Sequence, residues 1–296
     1  MERDPLMLLL SGTLPVSDES VIVGKVKFDG KGMSIGDKKV SSDLLSIGTA
    51  AMMSAALKTT EALGFEPPLG VVAGDMGDGA GSRKVYKYLT EDAGGLGPST
   101  VTLHYILPIR NEFLSFVEMA DYWEKRPFLI ADAGALLIAK ATKVCDKFDL
   151  FTPDAGEISF LADRDAGHPA YVRASLFEVD TTEVPRLISE AYSTHSAPRY
   201  ILVKGPTDYV VDGGKIVHVV KEPNLPALEA IGGTGDTITG IVSALISGGY
   251  EPVRASVIAS MANRLAGQLC NPTPATKVFE IVSHIGEAVA VTIDQA

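Results

Sequence analysis

The chain of 296 residues is 46% hydrophobic and 21% charged, and its formal net charge is −11. This composition is typical of a globular protein, and one α/β domain spanning residues 1–296 can have this length. Because binding to nucleic acid requires clustered cations, so acidic a chain argues against a nucleic-acid partner. The apolar run Leu6–Leu10 is too short for a signal peptide, and no stretch approaches the ~20 apolar residues of a membrane helix. We expect a cytoplasmic protein with no membrane partner, in which Cys145 and Cys270 are buried, reduced thiols.

Short apolar runs along the chain predict buried strands that alternate with helices. The strands are predicted at Leu6–Leu10, Leu69–Ala73, Val101–Leu107, Phe128–Ala131, Leu150–Thr152 and Tyr200–Val203. Helices are predicted from a cap at Ser41–Asp43 to Leu63, at Ser82–Leu89, Glu112–Met119, Ala135–Val144, Ala155–Ala162 and Thr182–Tyr192, and in three segments from Thr234 onward. This alternation favours a mostly parallel central sheet with helices on both faces, and such sheets bind ligands beyond the carboxyl ends of their strands.

Two segments depart from the alternation of strand and helix. The alternating run Val21–Phe28 is followed by glycines and predicts an edge ribbon within about residues 20–40. That ribbon could serve as a lid over a site or pair with a second subunit along an exposed edge, so a homo-oligomer stays open. Tyr209–Val211 and Ile216–Val220 flank a turn of Asp212, Gly213 and Gly214, which predicts a hairpin.

A glycine-rich turn before a helix is the strongest chemical feature of the sequence. The turn is Gly232-Gly233-Thr234-Gly235-Asp236, and the residues that follow it have the apolar spacing of a helix. Unpaired N–H groups and the positive end of the dipole make a helix N-terminus a favourable place for phosphate. Asp236 would repel a bound phosphate, but it can act as a base toward an attacking hydroxyl. The alternative is that Asp236 only complements the helix dipole.

The turn resembles the signature of the ribokinase-like superfamily, and its Gly-Gly-Thr-Gly-Asp form is similar to that of the NAD(P)H-hydrate dehydratases. Further segments resemble motifs of that family in the same order: Gly74-Asp75-Met76-Gly77, Asp132-Ala133-Gly134-Ala135-Leu136, Thr152-Pro153-Asp154-Ala155-Gly156-Glu157 and Val203-Lys204-Gly205. The resemblance covers roughly Leu69 to Gln268. It implies a ribokinase-like three-layer sandwich.

The resemblance also implies roles for individual residues. Asp236 would be the catalytic acid–base residue, and Glu157 would position Mg²⁺ through water. The nucleotide phosphates and the anion hole would involve Lys204, Gly205, Gly232, Gly233, Thr234 and Gly235. The substrate would contact Gly74, Asp75, Gly77, Asp132 and Asp154. The alternatives are an exposed lysine at 204, a solvated helix-start carboxylate at 157, a strand-end cap at 132 and a plain connection at 74–81.

The family resemblance implies ATP- or ADP-dependent dehydration of NAD(P)H-hydrate (NADHX or NADPHX) with Mg²⁺. In that reaction a ring hydroxyl is phosphorylated and phosphate then leaves. Asp154-Ala155 stands where the family has His-Pro, and Gly134 replaces an aspartate. These departures fall in the substrate half of the site, so two alternatives stay open: a kinase of a sugar or vitamin-precursor alcohol, and a non-catalytic nucleotide-binding protein.

Overall fold

A computed structural model describes residues 6–28, 32–46, 48–167, 181–273 and 275–296. Their strands form one sheet in the order β11-β10-β9-β8-β7-β6-β1-β5-β2-β3-β4. The strands are β1 Leu8–Leu14, β2 Ile22–Phe28, β3 Met33–Ile35, β4 Lys38–Val40, β5 Leu69–Gly74, β6 Thr100–His104, β7 Phe128–Ala131, β8 Leu150–Phe151, β9 Tyr200–Val203, β10 Asp208–Asp212 and β11 Lys215–Val220.

The described helices cover both faces of this sheet. They are α1 Gly48–Leu63, α2 Ala80–Glu91, α3 Arg110–Ala120, α4 Gly134–Thr142, α5 Ala155–Ala162, α6 Val184–Ser193, α7 Thr234–Ser247, α8 Pro252–Cys270, α9 Val278–Val282 and α10 Ile285–Thr292. Side chains of α2 to α6 build the core on one face, and those of α1 and α7 to α10 build the core on the other. The predicted three-layer arrangement is confirmed. Within the described part of the chain, no helix combines the length and the apolarity that a bilayer crossing requires.

The central strands β9, β8, β7, β6, β1 and β5 are all parallel. Both faces of this part of the sheet are covered, so β5, β7, β8 and β9 are largely continuous apolar runs rather than alternating ones. In β7, Leu129 and Ala131 point into one core and Ile130 into the other. The hairpin predicted after residue 208 is confirmed as β10 and β11, which pair antiparallel at one edge.

The ribbon predicted within residues 20–40 forms the other edge of the sheet, although residues 29–31 lie outside the described part. Strand β2 pairs antiparallel with β5, with Ile22 opposite Val72 and Lys25 opposite Leu69. The end of β2 that leads into β3 therefore lies toward the amino end of β5, whereas Gly74 lies at the carboxyl end of β5. Since ligands bind at carboxyl ends, the described part of the ribbon is not placed as a lid over that edge.

Several predicted boundaries were wrong for identifiable reasons. Helix α1 begins at Gly48 and not near Ser41, because a short 3₁₀ turn at Ser42–Leu44 precedes it. Strand β6 ends at His104 and not at Leu107, because Tyr105 takes a left-handed conformation with φ 49°. The C-terminal region contains four described helices, where three segments were predicted. Cys145 is buried as expected, but Cys270 is only half-buried.

Candidate active site

The glycine-rich turn forms the N-terminus of α7, as the sequence predicts. Gly233 caps the helix with φ 95°, and a Cβ there would lie 2.8 Å from the carbonyl oxygen of Ser46. Only glycine tolerates both conditions. Gly235 lies in the first turn, where an added Cβ would meet nothing closer than Lys204 at 3.7 Å. The turn therefore leaves open space beside the first N–H groups of α7.

Helix α1 reaches the same point because it packs very closely against α7. A Cβ at Gly240 would lie 2.1 Å from the carbonyl oxygen of Met52, so the two backbones can touch only at a glycine. One turn earlier on each helix, the N–H of Gly48 donates a 2.7 Å hydrogen bond to Oδ2 of Asp236. The start of α1 thus holds the carboxylate that the sequence marks as a base. Asp236 is 9% exposed.

A buried ion pair lies beside Asp236. Asp132 follows β7 and Lys204 follows β9, and Nζ of Lys204 lies 2.8 and 2.7 Å from the two carboxylate oxygens of Asp132. The hydroxyl of Thr239, one turn along α7, donates to Oδ2 of Asp132 at 2.6 Å. Burial disfavours the charge on Lys204, but Asp132 outweighs it and raises the pKa of the lysine. Lysine 204 is therefore a buried cation, which rules out the exposed-lysine alternative.

His104 completes the cluster, and the sequence reading did not include it. Its ring is fully buried, and Nε2 lies 3.1 Å from Oδ1 of Asp236 and 3.4 Å from Oδ2 of Asp132. Burial would lower the pKa of His104, but the two aspartates raise it to about 9. In the sequence His104 lies inside the predicted strand Val101–Leu107, and only the observed end of β6 at His104 places it where parallel strands present ligand-binding residues.

Asp154 and Glu157 form a capping box at the start of α5. The Asp154 carboxylate accepts from the N–H of Glu157 at 2.8 Å, and the Glu157 carboxylate accepts from the N–H of Asp154 at 2.9 Å. Burial, followed by the charges of Asp154 and Asp132, raises the pKa of Glu157 to about 8. Negative charge therefore outweighs positive charge around the Glu157 carboxylate, so a cation bound beside it would be stabilised.

One open cavity of about 560 Å³ connects these groups. Ten of the residues singled out from the sequence line its wall: Asp132, Asp154, Glu157, Lys204, Gly205, Gly232, Gly233, Thr234, Gly235 and Asp236. Tyr105 and Ala133 also line it, and both have positive φ within two residues of the ends of β6 and β7. Backbone strain of this kind concentrates at functional sites.

The loop at Gly74–Gly77 does not line this cavity. It follows β5, two strands along the sheet from β6. The carboxylate of Asp75 accepts hydrogen bonds from the N–H groups of Gly77, Gly79 and Ser82 and from the Ser82 hydroxyl. Because its own loop satisfies Asp75, this carboxylate organises the start of α2. A substrate role for Gly74, Asp75 and Gly77 stays a prediction.

A second buried ion pair supports the loop after Lys204. Nε of Arg264 lies 2.9 Å from Asp208, and its guanidinium also donates to the carbonyl oxygens of Gly205 and Pro206. Asp208 in turn accepts from the N–H of Gly205 at 3.0 Å. Both charged residues line the cavity, and the sequence reading did not include them. Helix α8 contains several other polar residues, so nothing in the sequence singled out Arg264.

The architecture is that of ribokinase-like enzymes. A Bacillus subtilis structure described as ADP/ATP-dependent NAD(P)H-hydrate dehydratase matches with a TM-score of 0.56 at 17% identity, covering 99% of this chain and 94% of that one. A Staphylococcus aureus pyridoxal kinase structure matches with a TM-score of 0.55 at 14% identity, covering 87% of this chain and 86% of that one. At such low identities these matches show the fold alone.

Sequence comparison identifies the family. The family model of the NAD(P)H-hydrate dehydratase matches residues 108–284, more than half of the chain, so the chain belongs to that enzyme family. An uncharacterized Methanocaldococcus jannaschii protein is 41% identical over 82% of this chain and 100% of its own length. A Cenarchaeum symbiosum ADP-dependent (S)-NAD(P)H-hydrate dehydratase is 33% identical over 46% of this chain and 42% of its own length.

Proposed function

We propose that this protein dehydrates NAD(P)H-hydrate at the expense of a nucleotide, with Asp236 as the base. The observation that carries the proposal is the position of the Asp236 carboxylate. It lies at the N-terminus of α7, held by the N–H of Gly48, in the same cavity as Lys204. A base next to N–H groups that stabilise a moving phosphoryl group is what phosphoryl transfer to a hydroxyl requires.

The nucleotide phosphates are assigned to the space beside Gly233, Thr234 and Gly235. Unpaired N–H groups of the first turn of α7 face this space, and the space stays open because Gly233 and Gly235 have no side chain. Lys204 supplies positive charge at the same wall, although its ammonium is also paired with Asp132. Gly205, fixed by Asp208 and Arg264, forms the neighbouring rim.

The donor set at the start of α5 fits a magnesium ion. Glu157 lines the cavity, and burial together with the charges of Asp154 and Asp132 raises its pKa, so a cation there would stabilise the ionised carboxylate. Magnesium is usually held through one or two carboxylates, waters and substrate phosphates, and Glu157 with Asp154 offers such a set. When bound, the ion neutralises charge on the transferring phosphoryl group.

The proposed chemistry balances as two steps. Asp236 takes the proton of the ring hydroxyl while the hydroxyl oxygen forms a bond to phosphorus and the donor's P–O bond breaks. The C–O bond of the resulting phosphoester then breaks, phosphate leaves with the electron pair, and the adjacent ring carbon loses a proton. The products are NAD(P)H, inorganic phosphate and the shortened nucleotide. Positioning and charge stabilisation are the contribution of the protein.

The test is a product assay with purified protein, hydrated NADH or NADPH, and Mg²⁺ with either ADP or ATP. We expect equal amounts of NAD(P)H and inorganic phosphate to form, and both to form about 10²–10⁴-fold more slowly with Asp236→Asn. A stable phosphoester without NAD(P)H would identify a kinase instead. Nucleotide binding without turnover of either hydrate would identify a non-catalytic protein.

A further inference from the structure

The buried histidine His104 lies between the two carboxylates of the site. Its Nε2 faces Oδ1 of Asp236 at 3.1 Å and Oδ2 of Asp132 at 3.4 Å, and its side chain is 0% exposed. A nitrogen lone pair directed at two carboxylates would be repelled, so Nε2 carries a proton and donates. The acceptors come from two different elements, the end of β7 and the first turn of α7.

The carboxylates need this donor because they lie close together. The Nε2 atom and one oxygen of each carboxylate lie within 4.8 Å of one another. Two carboxylates at such a distance in a buried site resist simultaneous ionisation. Lys204 neutralises Asp132 directly, but Asp236 has only the N–H of Gly48 and the ring of His104 as hydrogen-bond partners among the described residues.

We propose that His104 is a positioning residue, which balances the negative charge of Asp236 and fixes the direction of its carboxylate through the Nε2–H hydrogen bond. This inference rests on the proposed function, because it names the residue that positions the base of that reaction. The groups that face the imidazole are Asp132, Asp236 and the ring of Tyr105, the next residue in the chain, at a centroid distance of 4.6 Å. Lys204 lies behind Asp132.

The backbone around His104 is built to keep it in place. Its carbonyl oxygen accepts from the Thr49 hydroxyl at 3.3 Å, at the start of α1. A Cβ at Gly12 would lie 2.3 Å from the same carbonyl oxygen, so only glycine in β1 permits this contact. The imidazole Nδ1 has no hydrogen-bond partner in the described part of the chain. Positioning therefore depends on Nε2 and on packing.

The first test compares kcat/KM against pH for the wild type, His104→Gln, His104→Leu and the exposed control His218→Gln. Glutamine retains an N–H donor but cannot be positively charged. We expect the acid limb of the His104→Gln profile to move upward by about one pH unit, because a cation next to a carboxylate lowers the pH at which the carboxylate is protonated by roughly 1–3 units. Leucine should lower kcat by about 100-fold with little change in the KM for nucleotide, as expected for a misplaced base. The control should match the wild type.

A purely structural His104 predicts another result. Once rates are normalised to folded protein, the profile of His104→Gln would then superimpose on that of the wild type, and the proposal would be wrong while the proposed function stood. Because His104→Leu can fail to fold, the glutamine variant carries the kinetic test alone.

An NMR titration of the histidine side chains tests the same idea without turnover. We expect His104 to titrate well above 6.5 in the wild type and at lower pH in Asp236→Asn, since one carboxylate is removed. Titration near 6.5 that ignores the substitution would overturn the proposal. If the wild type fails to dehydrate any hydrate, the proposed function fails, and this titration still decides the link between His104 and Asp236.

Discussion

Replacing Asp236 by asparagine probes the site with almost no change in size. The carboxylate accepts from Gly48 through Oδ2 and from His104 through Oδ1. Asparagine has one oxygen, so it can satisfy only one of these donors. If the oxygen stays with Gly48, the amide NH₂ faces the Nε2–H of His104, and two donors oppose each other in a buried place.

The size of the effect follows from that geometry. A buried donor left without an acceptor costs about 1–3 kcal/mol of unfolding free energy. Loss of a dipole-complementing charge alone would cost about 0.3–1 kcal/mol. Asp236 helps to raise the pKa of His104 to about 9, so the stability that this protonation contributes is present at pH 7 and lost as pH rises through about 9. Asp236→Asn removes part of that contribution, so its cost should be larger at pH 7 than at pH 9.5. Turnover should fall by about 10²–10⁴-fold, the usual contribution of a general base.

The assay combines steady-state kinetics with urea unfolding at pH 7 and pH 9.5. Asp43→Asn is the matched control, because Asp43 is an exposed acidic residue in the first turn of a short helix outside the cavity. The control should leave both turnover and stability unchanged. Wild-type turnover in Asp236→Asn would refute the assignment of the base. A stability loss that does not depend on pH would refute the electrostatic link between Asp236 and His104.

Four further results are expected. Gly235→Ala should fold, because the added Cβ meets only Lys204 at 3.7 Å, but the variant should lose the thermal shift that Mg²⁺ and nucleotide give the wild type. Gly233→Ala should lower the melting temperature, because the added Cβ would lie 2.8 Å from two neighbouring atoms. Lys204→Met should cost about 3–5 kcal/mol in chemical unfolding by removing the nearest cation from the buried Asp132, and adding Asp132→Asn should recover part of that loss. Because the pKa of Glu157 is raised to about 8, its contribution to folding stability is complete below about pH 4.5 and is lost as pH rises through about 8. Over this pH range the melting temperature should therefore fall less in Glu157→Gln than in the wild type.

Prediction from sequence succeeded where the physical signal is local. Buried parallel strands are covered on both faces, so Phe128–Ala131 and Tyr200–Val203 appear as apolar runs and were located to the residue. The capping box at Asp154 and Glu157 is likewise short in sequence, and α5 was predicted with its observed bounds. Boundaries that depend on contacts with other elements, such as the start of α1 at Gly48, were missed.

The sequence by itself determined the glycine turn, the base candidate Asp236 and the strand ends at which the site residues lie. Only the tertiary structure decided that His104, Gly48 and Lys204 meet around Asp132 and Asp236. The reason is that parallel strands bring their carboxyl ends to one edge of the sheet however far apart they are in the chain. His104 and Asp236 are 132 positions apart, and no local pattern encodes a hydrogen bond over that separation. Likewise, Gly240 is an ordinary helix glycine in the sequence, and only the packing of α1 against α7 reveals why it has no side chain.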